Sequence, residues 1–170
     1  MNPKKFYEKA YSLLEDLTPI PADCGKLCES ACCKSPDEEE AGMYLYYKEE
    51  VMLKNYPDIK IEETDFTYDG MSAKIAICDG TCDRHFRPLS CRIFPLVPYK
   101  KENSPLTIII DPRAKAMCPL AKTFKMSDFD EDFIETVMYI FKVLSREKHI
   151  KSFIIEQSYL LDEYMEFLNP

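Results

Sequence analysis

The positions of the cysteines constrain this chain more than any other feature. All eight fall into two groups, one in the stretch C-G-K-L-C-E-S-A-C-C at 24–33 and one spread over 78–118. Thiolates bind metal ions, and a bound metal can fold the loops that carry its ligands. The pattern therefore predicts a metal centre. Its candidate ligands are Cys24, Cys28, Cys32, Cys33, Cys78, Cys82, Cys91 and Cys118.

The N-terminal residues and the apolar runs decide how these thiols are interpreted. The N-terminus mixes charged and aromatic residues and lacks the apolar stretch of a secretory signal. The longest strand-like apolar run, 106–110, is far too short to cross a bilayer. We expect a cytoplasmic protein with no membrane segment. In that compartment clustered thiols stay reduced, and they bind metal more often than they form disulfides.

The charge of the chain is unevenly distributed. It sums to −8, yet residues 84–125 carry nine Lys or Arg against two acids, Glu102 and Asp111. The acidic total disfavours general binding to nucleic acid. The basic stretch either binds an anion or offsets the negative charge of nearby thiolates. Because its basic residues are spaced singly, the second interpretation is favoured.

The periodicity of apolar residues predicts an α+β fold with a small antiparallel sheet and Cys-rich metal-bound loops packed with helices. The length of 170 residues and the 46% hydrophobic content predict a single folded domain over 1–170. Within it, the cysteine-cluster region covers about 24–119 and a helical part covers about 127–168. The predicted helices are 3–17, 44–55 and a C-terminal helical hairpin that starts near Ser127, with Asp130 in a capping box, and resumes at 150–168. The predicted strands are a hairpin over 59–77, turning at Asp69-Gly70, and a strand at 106–110.

The local sequence around the cysteines leaves some choices open. Cys24, Cys28 and Cys32 are four residues apart, which suits either one face of a short helix or a loop wrapped round a metal. An Asp79-Gly80 turn is expected to fold Cys78 and Cys82 toward each other. The proline-rich segment 88–119 is expected to be a constrained loop, neither a regular helix nor a central strand, that presents Cys91 in a fixed place.

The metal itself is not specified by the spacing. Tetrahedral sulfur ligation fits zinc, with iron or an iron–sulfur cluster as the alternative. The gaps of three residues match neither the common zinc pattern nor the ferredoxin pattern. Eight cysteines can build two sites of four thiolates or one site with spare thiols. Adjacent side chains point in different directions, so Cys32 and Cys33 are expected to serve different sites or to supply one ligand between them. His85 can replace a sulfur, whereas His149 is expected at the surface.

At these residues the sequence resembles the YkgJ-like cysteine-cluster family, whose members are described as zinc- or iron-chelating proteins. The resemblance covers about 24–119. Its most specific part is R-P-L-S-C-R-I-F-P, and it also includes C-x3-C-x3-C-C, C-x3-C and a later C-P. It implies that all eight cysteines occupy positions that hold metal. In that family a two-residue gap and a Gly often precede the vicinal pair. Here Glu29, Ser30 and Ala31 fill the gap, so the choice between Cys32 and Cys33 as ligand stays open.

Three hypotheses for function follow. The first is a metal-binding protein in which Arg87 and Arg92 donate hydrogen bonds to thiolates or carbonyls behind the ligands. The second is an iron–sulfur redox or catalytic protein acting on an anionic substrate, since a related cysteine pattern also occurs in the longer flagellin lysine N-methylases. The third is a metal carrier or thiol sensor based on the Cys32-Cys33 pair. The predicted partner is a metal ion. A protein partner, catalytic residues and the oligomeric state are not specified by the sequence.

Overall fold

The structure is a computed structural model that describes residues 2–34, 42–80 and 83–168. Within these ranges the chain mixes α-helices with small antiparallel sheets, so the predicted α+β class is confirmed. The helices are α1 (Pro3–Leu13), α2 (Cys24–Leu27), α3 (Leu89–Ile93), α4 (Pro119–Thr123), α5 (Glu131–Leu144) and α6 (Lys148–Leu168). The strands are β1 (Gly42–Leu45), β2 (Ile59–Tyr68), β3 (Met71–Cys78), β4 (Leu96–Tyr99) and β5 (Thr107–Ile110).

The predicted hairpin is confirmed and forms the larger sheet. Strands β2 and β3 pair antiparallel, and β3 lies between β2 and β1. The turn residues Asp69 and Gly70 have φ angles of 48° and 75°, the left-handed pair that suits the twist of a two-residue hairpin. Strand β3 ends at Cys78, so the first cysteine of the second group lies at the end of the central strand of this sheet.

Helix α1 begins where the sequence predicts and ends earlier. Asn2 accepts a hydrogen bond from the amide of Lys4, and Pro3 occupies the first turn. The helix stops at Leu13 and not at 17. Arg84 donates hydrogen bonds to the carbonyls of Leu14, Glu15 and Leu17, which follow the helix. These carbonyls therefore have partners without further helical hydrogen bonds.

The helix predicted over 44–55 is wrong. The chain instead forms β1, paired with β3, and then a short 3₁₀ helix, Glu49–Met52. Lys48, between them, has a φ of 62°, which an α-helix does not allow. The tyrosines of this segment suit a strand. Strand β3 supplies Tyr44 and the rest of β1 with an antiparallel partner that sequence periodicity cannot reveal.

The proline-rich segment contains more regular structure than expected. Cys91 lies on α3, a helix of five residues, and β4 pairs with β5 in a separate two-stranded sheet. Pro88 immediately precedes α3, where the missing N–H of a proline costs nothing. The prediction of a loop at Cys91 is therefore wrong. The strand predicted at 106–110 is confirmed as β5.

Two helices end the described chain, as predicted. The cap of α5 is Asp130 itself, whose carboxylate accepts from the amide of Phe133, and not Ser127. In α6, Phe153 is fully buried and contacts four aromatic rings from the larger sheet and the segment after β1. These rings belong to Tyr44, Tyr46, Phe66 and Tyr68. Helix α6 therefore contributes a central residue to the main hydrophobic core, to which none of the described cysteines belongs.

Among the described residues, no helix has both the length and the apolar character needed to span a membrane.

Candidate metal centre

Both cysteine groups line one cavity, which we call the sulfur cavity. Its volume is about 230 Å³. Six thiols lie on its wall, and three arginines, Arg84, Arg87 and Arg92, lie there with them. The six are Cys24, Cys28, Cys32, Cys33, Cys91 and Cys118. The fold therefore brings residues of 24–33 beside residues that follow them by more than fifty positions.

The first group is neither a single helix nor an irregular loop. Helix α2 carries Cys24 and ends at Leu27, and the thiol of Cys28 donates a hydrogen bond of 3.4 Å to the Cys24 carbonyl. Glu29 and Ser30 then adopt left-handed φ angles of 52° and 56°. Two consecutive non-glycine residues in this region are uncommon and store conformational strain. The turn ends in a 3₁₀ helix, Ala31–Cys33, which carries the vicinal pair.

The sulfurs of Cys32 and Cys33 lie 4.0 Å apart. Two sulfurs of a tetrahedral zinc site with bonds of about 2.3 Å are separated by about 3.8 Å. The distance between these two thiols is therefore close to the edge of such a tetrahedron. This distance allows both sulfurs to bind one metal ion. Which of Cys32 and Cys33 is a ligand therefore stays open.

The environment makes the two thiols of the pair unequal. The hydrogen bond between the two thiols and the positive charge of Arg87 lower the pKa of Cys33 to about 6, against the opposing effect of burial. The same hydrogen bond, together with burial, raises the pKa of Cys32. The lowered pKa favours the thiolate of Cys33, the form that binds metal.

A second set of thiols, Cys24, Cys28 and Cys118, also lines the sulfur cavity. Burial, followed by the neighbouring Cys28 and Cys118, raises the pKa of Cys24. Cys118 is buried and directly precedes α4. A cation bound between these sulfurs would favour their ionised forms, and so would reverse the direction of the shift.

The loop that follows β3 touches the first cysteine group. Gly80 has a φ of +89°, and a Cβ placed on it would lie 2.8 Å from the carbonyl oxygen of Cys33. Only glycine fits this close approach without displacing the backbone. The two cysteine groups are therefore in backbone contact at the point where Cys78 leaves the sheet. The predicted turn toward Cys82 cannot be followed to its end, because Cys82 lies outside the described residues.

We expect Gly80→Ala to lower the free energy of unfolding by about 2–4 kcal/mol, because the new methyl group meets both an unfavourable φ and a backbone oxygen. Gly70→Ala is the matched control. Gly70 has a φ of +75° with nothing within 4 Å of the added atom, so about 1–2 kcal/mol is expected there. Urea denaturation of both variants measures the difference. Equal losses would contradict the contact between Gly80 and Cys33.

Arg92 is the most completely bonded charged side chain of the site. Its side chain is 1% exposed. The five N–H groups of its guanidinium reach four backbone carbonyls and the carboxylate of Glu15, at 2.9 Å. The carbonyls belong to Tyr11, Arg84, His85 and Arg87, at 2.8–3.4 Å. The predicted role of donating to carbonyls agrees with these contacts. Among the hydrogen bonds described for Arg92, none goes to a thiol.

Arg84 and Arg87 occupy different positions around the cavity. Arg84 donates hydrogen bonds to the carbonyls of Leu14, Glu15 and Leu17, which lie just beyond the last residue of α1. Arg87 lines the sulfur cavity and acts electrostatically on Cys33. Arg87 and Arg92, the two arginines that the sequence predicts behind the ligands, therefore make different contacts. Arg92 holds the backbone around the site, whereas Arg87 faces the thiols.

A buried carboxylate that the sequence did not indicate supports this wall. Glu49 is fully buried and accepts three hydrogen bonds, from the Tyr11 hydroxyl at 2.7 Å, the Leu89 amide at 2.6 Å and the Tyr46 amide at 3.0 Å. Burial raises its pKa, and these hydrogen bonds oppose the rise. Glu49 thereby joins α1 and the end of β1 to the start of α3, the helix that carries Cys91. Its sequence context, between Lys48 and Glu50, resembles a solvated surface.

The two histidines lie away from the sulfurs. His85 has a side chain that is 74% exposed, 3.9 Å from Glu15, and it lines neither described cavity. His149 is half-buried, with Nδ1 2.7 Å from the carboxylate of Asp69. The prediction of a surface position for His149 therefore holds only in part, because Tyr47 packs against its ring with the ring centroids 4.5 Å apart.

A second cavity adjoins the first, and we call it the apolar cavity. It has a volume of about 310 Å³ and shares Cys32, Cys33, Cys91, Arg87 and Phe94 with the sulfur cavity. Cys78 lines this second space. All seven cysteines that the structure describes therefore face one cavity or the other. Within the same described ranges, no three His, Cys, Asp or Glu side chains are already placed to hold a metal ion.

Comparison with models of known protein families, with curated proteins and with solved structures found no match. The resemblance to the YkgJ-like cysteine-cluster family stays a prediction.

Proposed function

We propose that the protein binds a metal ion through thiolates drawn from both cysteine groups, and that it holds the metal either as part of its own structure or as cargo. The observation that supports this most directly is the sulfur cavity, where thiols of 24–33 face Cys91 and Cys118. The main hydrophobic core, which includes residues of α5 and α6, contains no described cysteine, so packing of that core does not explain why these thiols cluster. Zinc is the proposed metal, and iron, alone or in an iron–sulfur cluster, is the alternative.

The donor chemistry of the cavity fits such a metal. Six thiols lie on its wall against one carboxylate, that of Asp23, which accepts a hydrogen bond from the Gly25 amide. Soft thiolate ligands select zinc and iron–sulfur centres over hard cations. The Cys32–Cys33 hydrogen bond and the Arg87 charge lower the pKa of Cys33, which favours the thiolate form. Three guanidinium groups offset the negative charge that four thiolates would bring.

The metal would also complete the geometry of the site. The described sulfurs do not yet form a set of three at binding distance, so binding would have to draw the loops inward. This is the expected behaviour where metal binding and local folding are coupled. Bound zinc would cross-link the loops, whereas a cluster could in addition accept and release an electron.

The test is metal and sulfide analysis, with an absorption spectrum, of protein purified without oxygen. We expect one or two metals per chain. A colourless zinc protein supports the leading proposal, and visible charge-transfer bands with iron and sulfide support the alternative. Cys118→Ser should lower the metal content. Ala121→Ser, which also places a serine at a buried position three residues further on, should not. Protein that purifies without metal and takes up neither zinc nor iron on titration would overturn the proposal.

Removal of the metal should lower the melting temperature. A ligand present at a thousand times its dissociation constant stabilises a fold by about 4 kcal/mol, which corresponds to roughly 8–16 °C for a chain of this size. We therefore expect a fall of this order when a strong chelator is added and recovery when zinc is restored. Differential scanning calorimetry measures both. Unchanged melting of a protein shown to have lost its metal would contradict a structural role.

A further inference from the structure

The 3₁₀ helix Ala31–Cys33 holds two adjacent thiols side by side at the surface. The sulfurs of Cys32 and Cys33 lie 4.0 Å apart. Of the seven cysteines that the structure describes, Cys32 is the exposed one, and Cys33 is half-buried beside it. A reagent in solution can therefore reach one sulfur of a pair whose second sulfur is already within contact distance.

The same two thiols line both cavities. Cys91 lies on the shared wall with them, and the guanidinium of Arg87 lines both spaces as well. By contrast, Cys118 is buried, and a buried thiol is protected from reagents in solution. The vicinal pair is thus the part of the candidate metal centre that an oxidant meets first.

We propose that Cys32 and Cys33 form an oxidation site, at which a hydroperoxide converts the dithiol to a disulfide, and that this conversion releases metal from the sulfur cavity. The oxidation belongs to the pair itself and needs no metal. The release rests on the metal-binding function proposed above.

The reaction balances with one hydrogen peroxide and no other reactant. One thiol of the pair loses its proton and attacks a peroxide oxygen, the O–O bond breaks, and the departing hydroxide takes up that proton to become water. The second thiol attacks the sulfenic acid so formed, an S–S bond forms, and a second water leaves. The two sulfurs together lose two electrons, which the peroxide gains.

A disulfide between these neighbours is expected to be reversible. Cys32 and Cys33 are joined by a trans peptide bond, which keeps their Cα atoms about 3.8 Å apart. Relaxed disulfides usually span about 4.4–6.8 Å between Cα atoms, so a bond here is strained. Strained and exposed disulfides are the ones that cellular thiols reduce again. The pair therefore suits a reversible modification better than a permanent cross-link.

Oxidation would change the metal site in two ways. A sulfur in a disulfide is no longer a thiolate, so the site loses whichever ligand the pair supplied. The two sulfurs must also approach from 4.0 Å to about 2 Å, which requires the 3₁₀ helix to change shape. The carbonyl oxygen of Cys33 lies against Gly80, so a shift there also disturbs the loop that follows Cys78.

The experiment treats the full-length protein with hydrogen peroxide, once without metal and once loaded with zinc. Free thiols are then alkylated and the chain is cleaved by a glutamate-specific protease. Cleavage after Glu29 gives a peptide that begins at Ser30 and contains only Cys32 and Cys33 as cysteines. We expect this peptide to escape alkylation and to be about 2 Da lighter than the dithiol form. Reduced glutathione should restore the dithiol, and a zinc-sensitive dye should report zinc release at the rate of disulfide formation.

Two variants test the assignment to the pair. Cys32→Ser removes the exposed thiol and should abolish both the disulfide of this peptide and the zinc release by peroxide. Cys28→Ser is the matched control in the metal-free protein, because it removes a half-buried thiol of the same group and should leave the disulfide unchanged. Thermal melting confirms that each variant is folded.

Two results would overturn the oxidation site: alkylation of both cysteines of this peptide after peroxide treatment of the metal-free protein, or a disulfide that joins either of them to a different cysteine. Zinc that stays bound at full disulfide yield would overturn only the link to metal release. A protein that takes up no metal would contradict the function proposed above, and the peptide from the metal-free protein would still decide the oxidation site.

Discussion

Replacing Glu49 with alanine is expected to lower the free energy of unfolding by about 3–5 kcal/mol, one of the two largest effects that we predict for a single substitution. The carboxylate accepts hydrogen bonds from Tyr11, Tyr46 and Leu89, and all three donors are left in a buried space when it is removed. Each unpaired buried donor costs about 1–3 kcal/mol, partly offset because the burial cost of the carboxylate also disappears.

The neighbouring Glu50 is the matched control. Its carboxylate forms an ion pair of 2.7 Å with Lys74 near the surface, where such pairs contribute about 0–1 kcal/mol. Chemical denaturation of Glu49→Ala and Glu50→Ala compares the two. Equal effects would show that the three hydrogen bonds of Glu49 do not hold α1, β1 and α3 together.

The same carboxylate predicts a dependence on pH. Burial raises the pKa of Glu49 above its value in the unfolded chain. The folded state therefore binds the proton more tightly, so the stability linked to this group is fully present below the unfolded pKa and is lost as pH rises through the folded one. Gln at this position does not titrate. The stability difference between the original chain and Glu49→Gln should accordingly be largest in acid and shrink toward neutral pH. A difference that grows as pH rises would contradict the direction of the shift.

The second large effect is expected at Arg92. Arg92→Ala removes a buried guanidinium whose five donors hold α1 to the segment 84–87, and it leaves the carboxylate of Glu15 without its partner. Truncation of one partner in a buried charged network costs about 3–5 kcal/mol. The ring of Tyr11 also loses the cation that lies 4.3 Å above it. We expect a loss of this size in urea denaturation.

Two further variants separate shape from charge at this site. Arg92→Lys keeps the charge but offers three donors from a single point, so it should recover less than half of the loss. Arg146→Ala removes an arginine from an exposed position and should change stability by less than about 0.5 kcal/mol. Full recovery by lysine would mean that charge alone, and not the planar geometry of the guanidinium, holds the segment.

Sequence periodicity was sufficient for the parts of the fold where one pattern dominates. The hairpin around Asp69-Gly70 and the last helix could be predicted because their turn chemistry and apolar spacing agree. The segment 44–55 could not. Its apolar residues fit a helix equally well, and the choice depends on the edge of β3, which is reached through tertiary pairing.

The cysteines of the candidate site could be picked out from the sequence, whereas the residues that hold the surrounding backbone could not. The cysteine pattern alone singles out seven of the residues that line the two cavities, and their role as metal ligands stays a prediction. Glu49 gives no such signal, because a glutamate is an ordinary surface residue until the fold buries it. Arg92 was expected to assist thiolates or carbonyls. Only the structure shows which carbonyls it holds.

The position of Phe153 on α6 affects the order in which this protein can mature. Its ring fills the space between Tyr44, Tyr46, Phe66 and Tyr68, and about 85 residues of synthesis separate Tyr68 from it. At about 5–20 residues per second, the growing chain carries an uncovered aromatic face for roughly 4–17 s. The walls of both cavities rest on that core. A metal bound as we propose would therefore be acquired only once α6 has been synthesised and has packed against the sheet.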